Sequence, residues 1–232
     1  MTTSERLTSL LALKTSPVAL AFSDDPPVGV AHVDERAPAG CAYWSRAAKG
    51  ESFYTLPGDH AGCAVGAHTH NAPLDEKGQA ELGELIKVMS GLGYLGPDEV
   101  PQIATRKTPL KVLTYSPLDG AVGTPDLVLI RASARSGMLL SEAAHLAGVR
   151  DDAAAGLRPA CTVVPHTQSS GKTSSSLGCI GNRVYTGLGD DELWFAIPGA
   201  QLDKVLDKLE TVVTANRALE SFHRARLPQK NA

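Results

Sequence analysis

The clearest hydrophobic period lies near the end of the chain. Leu202, Val205, Leu206, Leu209, Val212 and Val213 recur at three- and four-residue spacing, which places them on one face of a helix. Leu82, Leu85, Ile86 and Met89 repeat the same spacing and predict a second helix, stopped by Gly91 and Gly93. At the start, Leu7, Leu10 and Leu11 share a face, and Thr2 and Glu5 stand at capping-box spacing, so the first 14 residues read as a helix. Residues 138–146 predict another helix, residues 42–49 a short one ended by Gly50, and residues 64–67 a helix start behind Cys63. Apolar runs at 18–22, 112–115, 127–130 and 193–197 read as strands, as does the alternating run 52–56. Residues 161–164 read as a strand cut by Pro165, and the serine-rich residues 166–178 as a loop.

Strands and helices alternate without a strict βαβ rhythm. The pattern predicts an α/β or α+β fold, a single domain over residues 1–232 with a mixed sheet flanked by helices. An internal echo, Gly62-Cys63-Ala64-Val65-Gly66 against Gly178-Cys179-Ile180-Gly181, raises the possibility of two pseudo-repeated halves.

Composition narrows the function classes. With 43% hydrophobic and 20% charged residues, the 232-residue chain is globular rather than disordered. A net charge of -3 and 5% aromatics argue against nucleic acid, which calls for a basic footprint or a stacking platform. No apolar run approaches the roughly 20 residues of a membrane span, and the run Leu10 to Leu13 is too short for a signal peptide, so a cytoplasmic location is expected. Cysteines there stay reduced, and disulfides are the poorer explanation for the four in this chain.

Those cysteines form two pairs, Cys41 with Cys63 and Cys161 with Cys179, each beside Gly or Pro. Four thiolates suit Zn²⁺ or an iron–sulfur cluster, and Gly178 and Gly181, flanking Cys179, are expected to aim backbone N–H groups at its sulfur. The absence of Cys-x-x-Cys speaks against a zinc ribbon or ferredoxin loop, and on spacing alone four buried structural cysteines are the better explanation of the pattern. His60, His68 and His70 cluster near Cys63, with His68 and His70 on one face if the segment is a strand, and His166 follows Cys161 by five residues. Arg183 lies four residues after Cys179. It can face the same pocket and clamp an anion bidentately, or pair with Asp190, Asp191 or Glu192. Ser170-Gly171-Lys172-Thr173 is not a phosphate loop, because His166 stands where the signature needs Gly.

Several strings, in order, resemble domain of unknown function 169, a bacterial and archaeal family. They are Ser16-Pro17-Val18-Ala19, Cys41-Ala42-Tyr43-Trp44, Cys63-Ala64-Val65-Gly66, Ser116-Pro117-Leu118 and Pro125-Asp126-Leu127-Val128-Leu129-Ile130. The strongest are Arg158-Pro159-Ala160-Cys161 and Ser176-Leu177-Gly178-Cys179-Ile180-Gly181-Asn182-Arg183, followed by Asp191-Glu192 and Ile197-Pro198. The resemblance implies that all four cysteines occupy recurrent Cys positions, and it runs from about residue 14 to 224. Ala42 stands where many relatives carry Gln, so no role of that Gln transfers.

The sequence thus leads to a cytoplasmic iron–sulfur protein holding one [4Fe–4S] cluster on Cys41, Cys63, Cys161 and Cys179. Its role would be electron transfer, or redox or other cluster chemistry on a small anionic substrate oriented by Arg183, His60 or His166. The alternatives are a zinc- or haem-binding Cys/His protein and a cofactor-free ligand-binding module with buried thiols. The expected partner is a small molecule or an electron-transfer protein, not nucleic acid or membrane. The sequence leaves a homo-oligomer open.

Overall fold

A computed structural model describes residues 1–96 and 98–227. Its centre is one seven-stranded sheet in the order β2-β3-β4-β1-β5-β7-β6. The strands are β1 (Val18–Ser23), β2 (Ala31–His32), β3 (Phe53–Thr55), β4 (Val112–Pro117), β5 (Leu127–Ser133), β6 (Ser174–Ser176) and β7 (Glu192–Pro198). The sheet is mixed: β2 pairs with β3 in parallel and every other pairing is antiparallel. Helices α1 (Thr3–Leu11), α2 (Ala42–Ala48), α3 (Ala64–Thr69), α4 (Glu76–Gly91), α5 (Ala134–Leu146), α6 (Val163–Ser170), α7 (Ile180–Thr186) and α8 (Leu202–Arg224) complete the chain. This is the expected α/β fold.

Successive side chains of a strand point to opposite faces, and both faces here are apolar. Ala19, Val128, Ile130, Phe195 and Ile197 face one way, onto a core shared with Leu7 of α1, Leu140 of α5 and the stripe of α8. Val18, Leu20, Leu113, Tyr115, Leu129 and Trp194 face the other way, onto Tyr43 and Trp44 of α2, Ala67 of α3 and Val163 and Val164 of α6. Central strands covered on both sides read as continuous apolar runs, which is why β5 and β7 stand out in the sequence. Every cysteine of the chain belongs to the α2–α3–α6–α7 side: Cys41 and Cys161 are core members there, Cys63 packs against them, and Cys179 precedes α7.

The helix starts follow from local chemistry. Thr2 and Glu5 form the capping box on α1. That helix ends at Leu11, earlier than the expected residue 14, because Ala12 takes a left-handed conformation with φ 51°. α5 begins four residues before the expected 138, where the Ser133 hydroxyl accepts from the Ser136 N–H.

Residues 161–164 are not a strand. A 3₁₀ turn at Ala160–Thr162 runs into α6, and Pro165 sits in the first helical turn. The N–H that Pro lacks is one for which that turn has no intrahelical acceptor, so Pro starts a helix there rather than cutting a strand. Residues 166–178 are not one loop either: α6 continues to Ser170 and Ser174–Ser176 forms β6 on the edge of β7. Buried serines can sit in a strand because their hydroxyls are satisfied. Ser174 Oγ bonds the Val163 carbonyl and the Thr167 hydroxyl, and Ser176 Oγ donates to the Leu157 carbonyl. The echoing strings around Cys63 and Cys179 share a local form, a short helix with Cys at its N-cap.

Candidate thiol centre

Four separate segments carry the cysteines to one side of the sheet, each at the beginning of a helix. Cys41 caps α2, Cys63 caps α3, Cys179 caps α7, and Cys161 lies in the turn that opens α6. Cys41 and Cys161 are buried, while Cys63 and Cys179 are partly exposed; all four are free thiols.

Their electrostatics show that the sulfurs share a neighbourhood. Burial pushes the Cys41 thiol up to about 12; the Asn182 amide opposes this, and Cys63 and Cys179 add to it. Cys161 is raised well above the ordinary thiol value by burial. Cys63, Cys41 and Cys179 all add to that shift, and Thr69 counters it. Like-charge coupling of this kind needs proximity, so the most buried thiol feels the other three. Among the described residues, no group of three or more His, Cys, Asp or Glu side chains is placed to hold a metal ion as the chain stands. The sulfurs are gathered, but they are not closed on one point.

The backbone beside them is built for close approach. The Gly66 N–H donates to Cys63 Sγ over 3.3 Å. A Cβ on Gly66 would lie 3.0 Å from that sulfur and 3.7 Å from Gly40 N, and a Cβ on Gly40 would lie 3.5 Å from His60 Nδ1. Two glycines therefore let the segments leading into Cys41 and following Cys63 pass in contact. Asn182, buried on α7, accepts from Trp194 Nε1 over 3.1 Å. Its Nδ2 has no hydrogen-bond partner, so its effect on Cys41 is that of a nearby dipole favouring thiolate without a closed hydrogen bond.

Two imidazoles lie under the centre. His60 and His70 are both buried, with ring centroids 5.6 Å apart. Thr55 Oγ1 donates its one proton to the Leu113 carbonyl, so at 2.9 Å His60 Nε2 must be the donor to it. His70 Nδ1 lies 2.8 Å from the Gly66 carbonyl, which only accepts, so it too is an N–H. The remaining nitrogens, His60 Nδ1 and His70 Nε2, are bare lone pairs with no partner. Burial, with His70 adding to it, lowers His60 to about 3; burial lowers His70 to about 4 against the opposing Gly66 carbonyl, with Arg106 adding.

The other expected site residues stand as follows. His68, Thr69 and His70 end α3 instead of forming a strand, so the two imidazoles do not share a strand face; His70 is buried and His68 is not. His166, on α6, faces Asp151, with Nε2 3.0 Å from Oδ2. Arg183 donates to the backbone carbonyls of Gly189 (2.8 Å) and Leu177 (2.6 Å), with Asp190 at 3.7 Å, so it ties together the two chain segments flanking α7. Gly178 has φ 80° and its N–H goes to Ser176 Oγ, while Gly181 is an ordinary helical position. His70 is among the histidines that the sequence places near Cys63, whereas Gly66 and Asn182 belong to the centre without an assigned role from the sequence. Of these two, only Gly66 had a legible signal, since a residue three after an N-cap presents the N–H that a capping atom receives.

A family model for domain of unknown function 169, DUF169, described as Uncharacterised ArCR, matches residues 6–208, a span that contains all four cysteines. No curated protein and no solved structure matches the chain.

Proposed function

The chain belongs to the DUF169 family, and from that premise we propose that Cys41, Cys63, Cys161 and Cys179 together hold one [4Fe–4S] cluster. The protein would then transfer electrons or act on a small anionic substrate in the cytoplasm. The observation that carries the reading is the placement of four free thiols by four chain segments at helix starts on one side of the sheet. Burial and mutual coupling keep the free thiols protonated and neutral, whereas a cationic metal centre would hold them as thiolates, because coordinated thiols deprotonate outright. The donor set fits in kind: four sulfurs are the ordinary complement of such a cluster. Binding would require the partly exposed Cys63 and Cys179 to close toward the buried pair.

When bound, the cluster supplies one-electron transfer, or a Lewis-acid position if one iron lacks a cysteine. The chain's own residues do the rest. Gly66 N–H donates to Cys63 Sγ, a contact of the kind that tunes potential. Trp44 and Trp194, both buried and edge-to-face at 5.3 Å, exclude water from the sheet side. Asn182 holds the Trp194 indole and favours the Cys41 thiolate. No helix among the described residues is long and apolar enough to cross a membrane, which is compatible with the cytoplasmic setting proposed.

The test is purification under anaerobic conditions with iron and acid-labile sulfide analysis. A brown protein with about four irons per chain is expected, falling sharply in each Cys→Ser variant. A colourless protein without iron after reconstitution, or iron content unchanged by all four variants, overturns the reading.

A further inference from the structure

Arg106 is set apart from the other arginines. The half-buried ones besides it each have a carboxylate within 4 Å: Arg6 with Glu210, Arg46 with Glu51, Arg131 with Glu192, Arg150 with Asp152 and Arg183 with Asp190. Arg106 is half-buried too, and among the described residues no carboxylate lies within that distance of it. Burial accordingly lowers its pKa, with the more distant Asp126 as the only compensation.

The same arginine is held firmly. Its backbone N–H donates to the Thr69 carbonyl over 2.9 Å, and its own carbonyl accepts from Asn71 Nδ2 over 3.1 Å. The guanidinium lies over the Phe22 ring, 3.8 Å from its centroid, and Nε donates to Gln168 Oε1 over 2.8 Å. Those contacts use the face and the inner N–H. They leave the terminal Nη1 and Nη2 groups without a partner among the described residues. A flexible surface cation needs no such support. An unpaired one clamped from backbone, ring and amide retains its desolvation cost while its binding entropy is already lost, which is the arrangement of a preorganised anion receptor.

Its position gives the site a neighbour. Thr69, whose carbonyl anchors Arg106, has its side chain beside Cys161. The bare Nε2 of His70 is the next residue's, and Arg106 is close enough to disfavour a proton there. From these observations we propose that Arg106 is the anchor of a ligand site bordering the thiol centre, and that it takes the carboxylate of a small organic acid through its free Nη pair. A guanidinium can pair bidentately with carboxylate or phosphate, and a lone one balances a single negative charge, which favours a monocarboxylate over a phosphate dianion. The site rests on Arg106's own contacts and holds whether or not the thiols carry a cluster.

The experiment is calorimetric titration of the full chain with propionate, acetate and inorganic phosphate at matched ionic strength, with and without reconstituted iron. Saturable carboxylate binding, at least tenfold weaker in Arg106→Lys and lost in Arg106→Gln, is expected. Arg217→Gln, an exposed arginine on α8, should bind as the parent does. Circular dichroism and thermal melting establish that each variant is folded, and the Lys variant keeps the charge if the Gln variant does not fold. No saturable carboxylate binding by the parent, equal loss in Arg217→Gln, or binding unchanged in Arg106→Lys and Arg106→Gln overturns the proposal. Tighter binding of phosphate than of either carboxylate overturns its ligand class. Iron content unaffected by Arg106→Gln together with lost carboxylate binding separates this site from the cluster, and absence of iron with carboxylate binding intact refutes the cluster alone.

Discussion

Acidification from pH 7 to pH 5 should weaken the fold through two side chains, His60 and His70. Both are neutral and buried, with pKa lowered to about 3 and about 4, whereas an unfolded histidine titrates near 6.5. The unfolded state therefore binds protons that the folded state refuses. Stability from these groups is present in full above about pH 6.5 and is lost as pH falls toward the folded values. At about 1.4 kcal/mol per unit, and with roughly 1.5 units of the window below the unfolded pKa, each imidazole removes about 2 kcal/mol by pH 5, about 4 kcal/mol together. That is a large part of the roughly 5–15 kcal/mol of an ordinary domain. The assay is urea unfolding followed by far-ultraviolet circular dichroism at half-unit pH steps. His60→Gln keeps a donor for Thr55 Oγ1, and His70→Asn keeps one for the Gly66 carbonyl. Each single variant should halve the pH slope and the double variant should nearly abolish it. A double variant whose slope between pH 7 and 5 equals that of the parent refutes the reasoning, since the proton uptake would then belong elsewhere.

Other expectations test the same region. Gly66→Ala sets a Cβ 3.0 Å from Cys63 Sγ and should lower bound iron while changing the melting temperature little, measured by metal analysis beside calorimetry. Asn182→Leu leaves the buried Trp194 Nε1–H without its acceptor and should cost about 1–3 kcal/mol in denaturant unfolding. Gly178→Val combines φ 80° with a Cβ 2.7 Å from Leu188 Cδ2, so it should destabilise the fold as well as the centre. Gly181→Ala meets only an ordinary 3.8 Å contact with Tyr185 in a helix and should stabilise by about 0.5–1 kcal/mol.

Sequence alone determined the parts governed by local or periodic physics. The stripe from Leu202 to Val213 can bury only as a helix, the apolar runs of β4, β5 and β7 suit strands covered on both faces, and Thr2 with Glu5 caps α1. Each of these is settled within one or two turns of chain, so spacing is sufficient evidence. The four cysteines were legible as chemistry for a related reason, because their Gly and Pro neighbours announce turns, and they do fall at helix starts. Residues 161–178 were misread because their outcome is tertiary. Serines make a strand there only since β7, Val163 and Leu157 supply pairing and acceptors from far along the chain. Tertiary structure also decided how the candidate residues sort. Arg183 faces carbonyls on both sides of α7, His166 faces Asp151, and His70, Asn182 and Gly66 stand with the thiols. Arg106 had no sequence signal at all. Its free guanidinium is defined by Phe22, Gln168 and Thr69, which lie up to 84 positions from it. Unpaired charge is a property of what a fold leaves out of reach, and no periodicity along a chain encodes it.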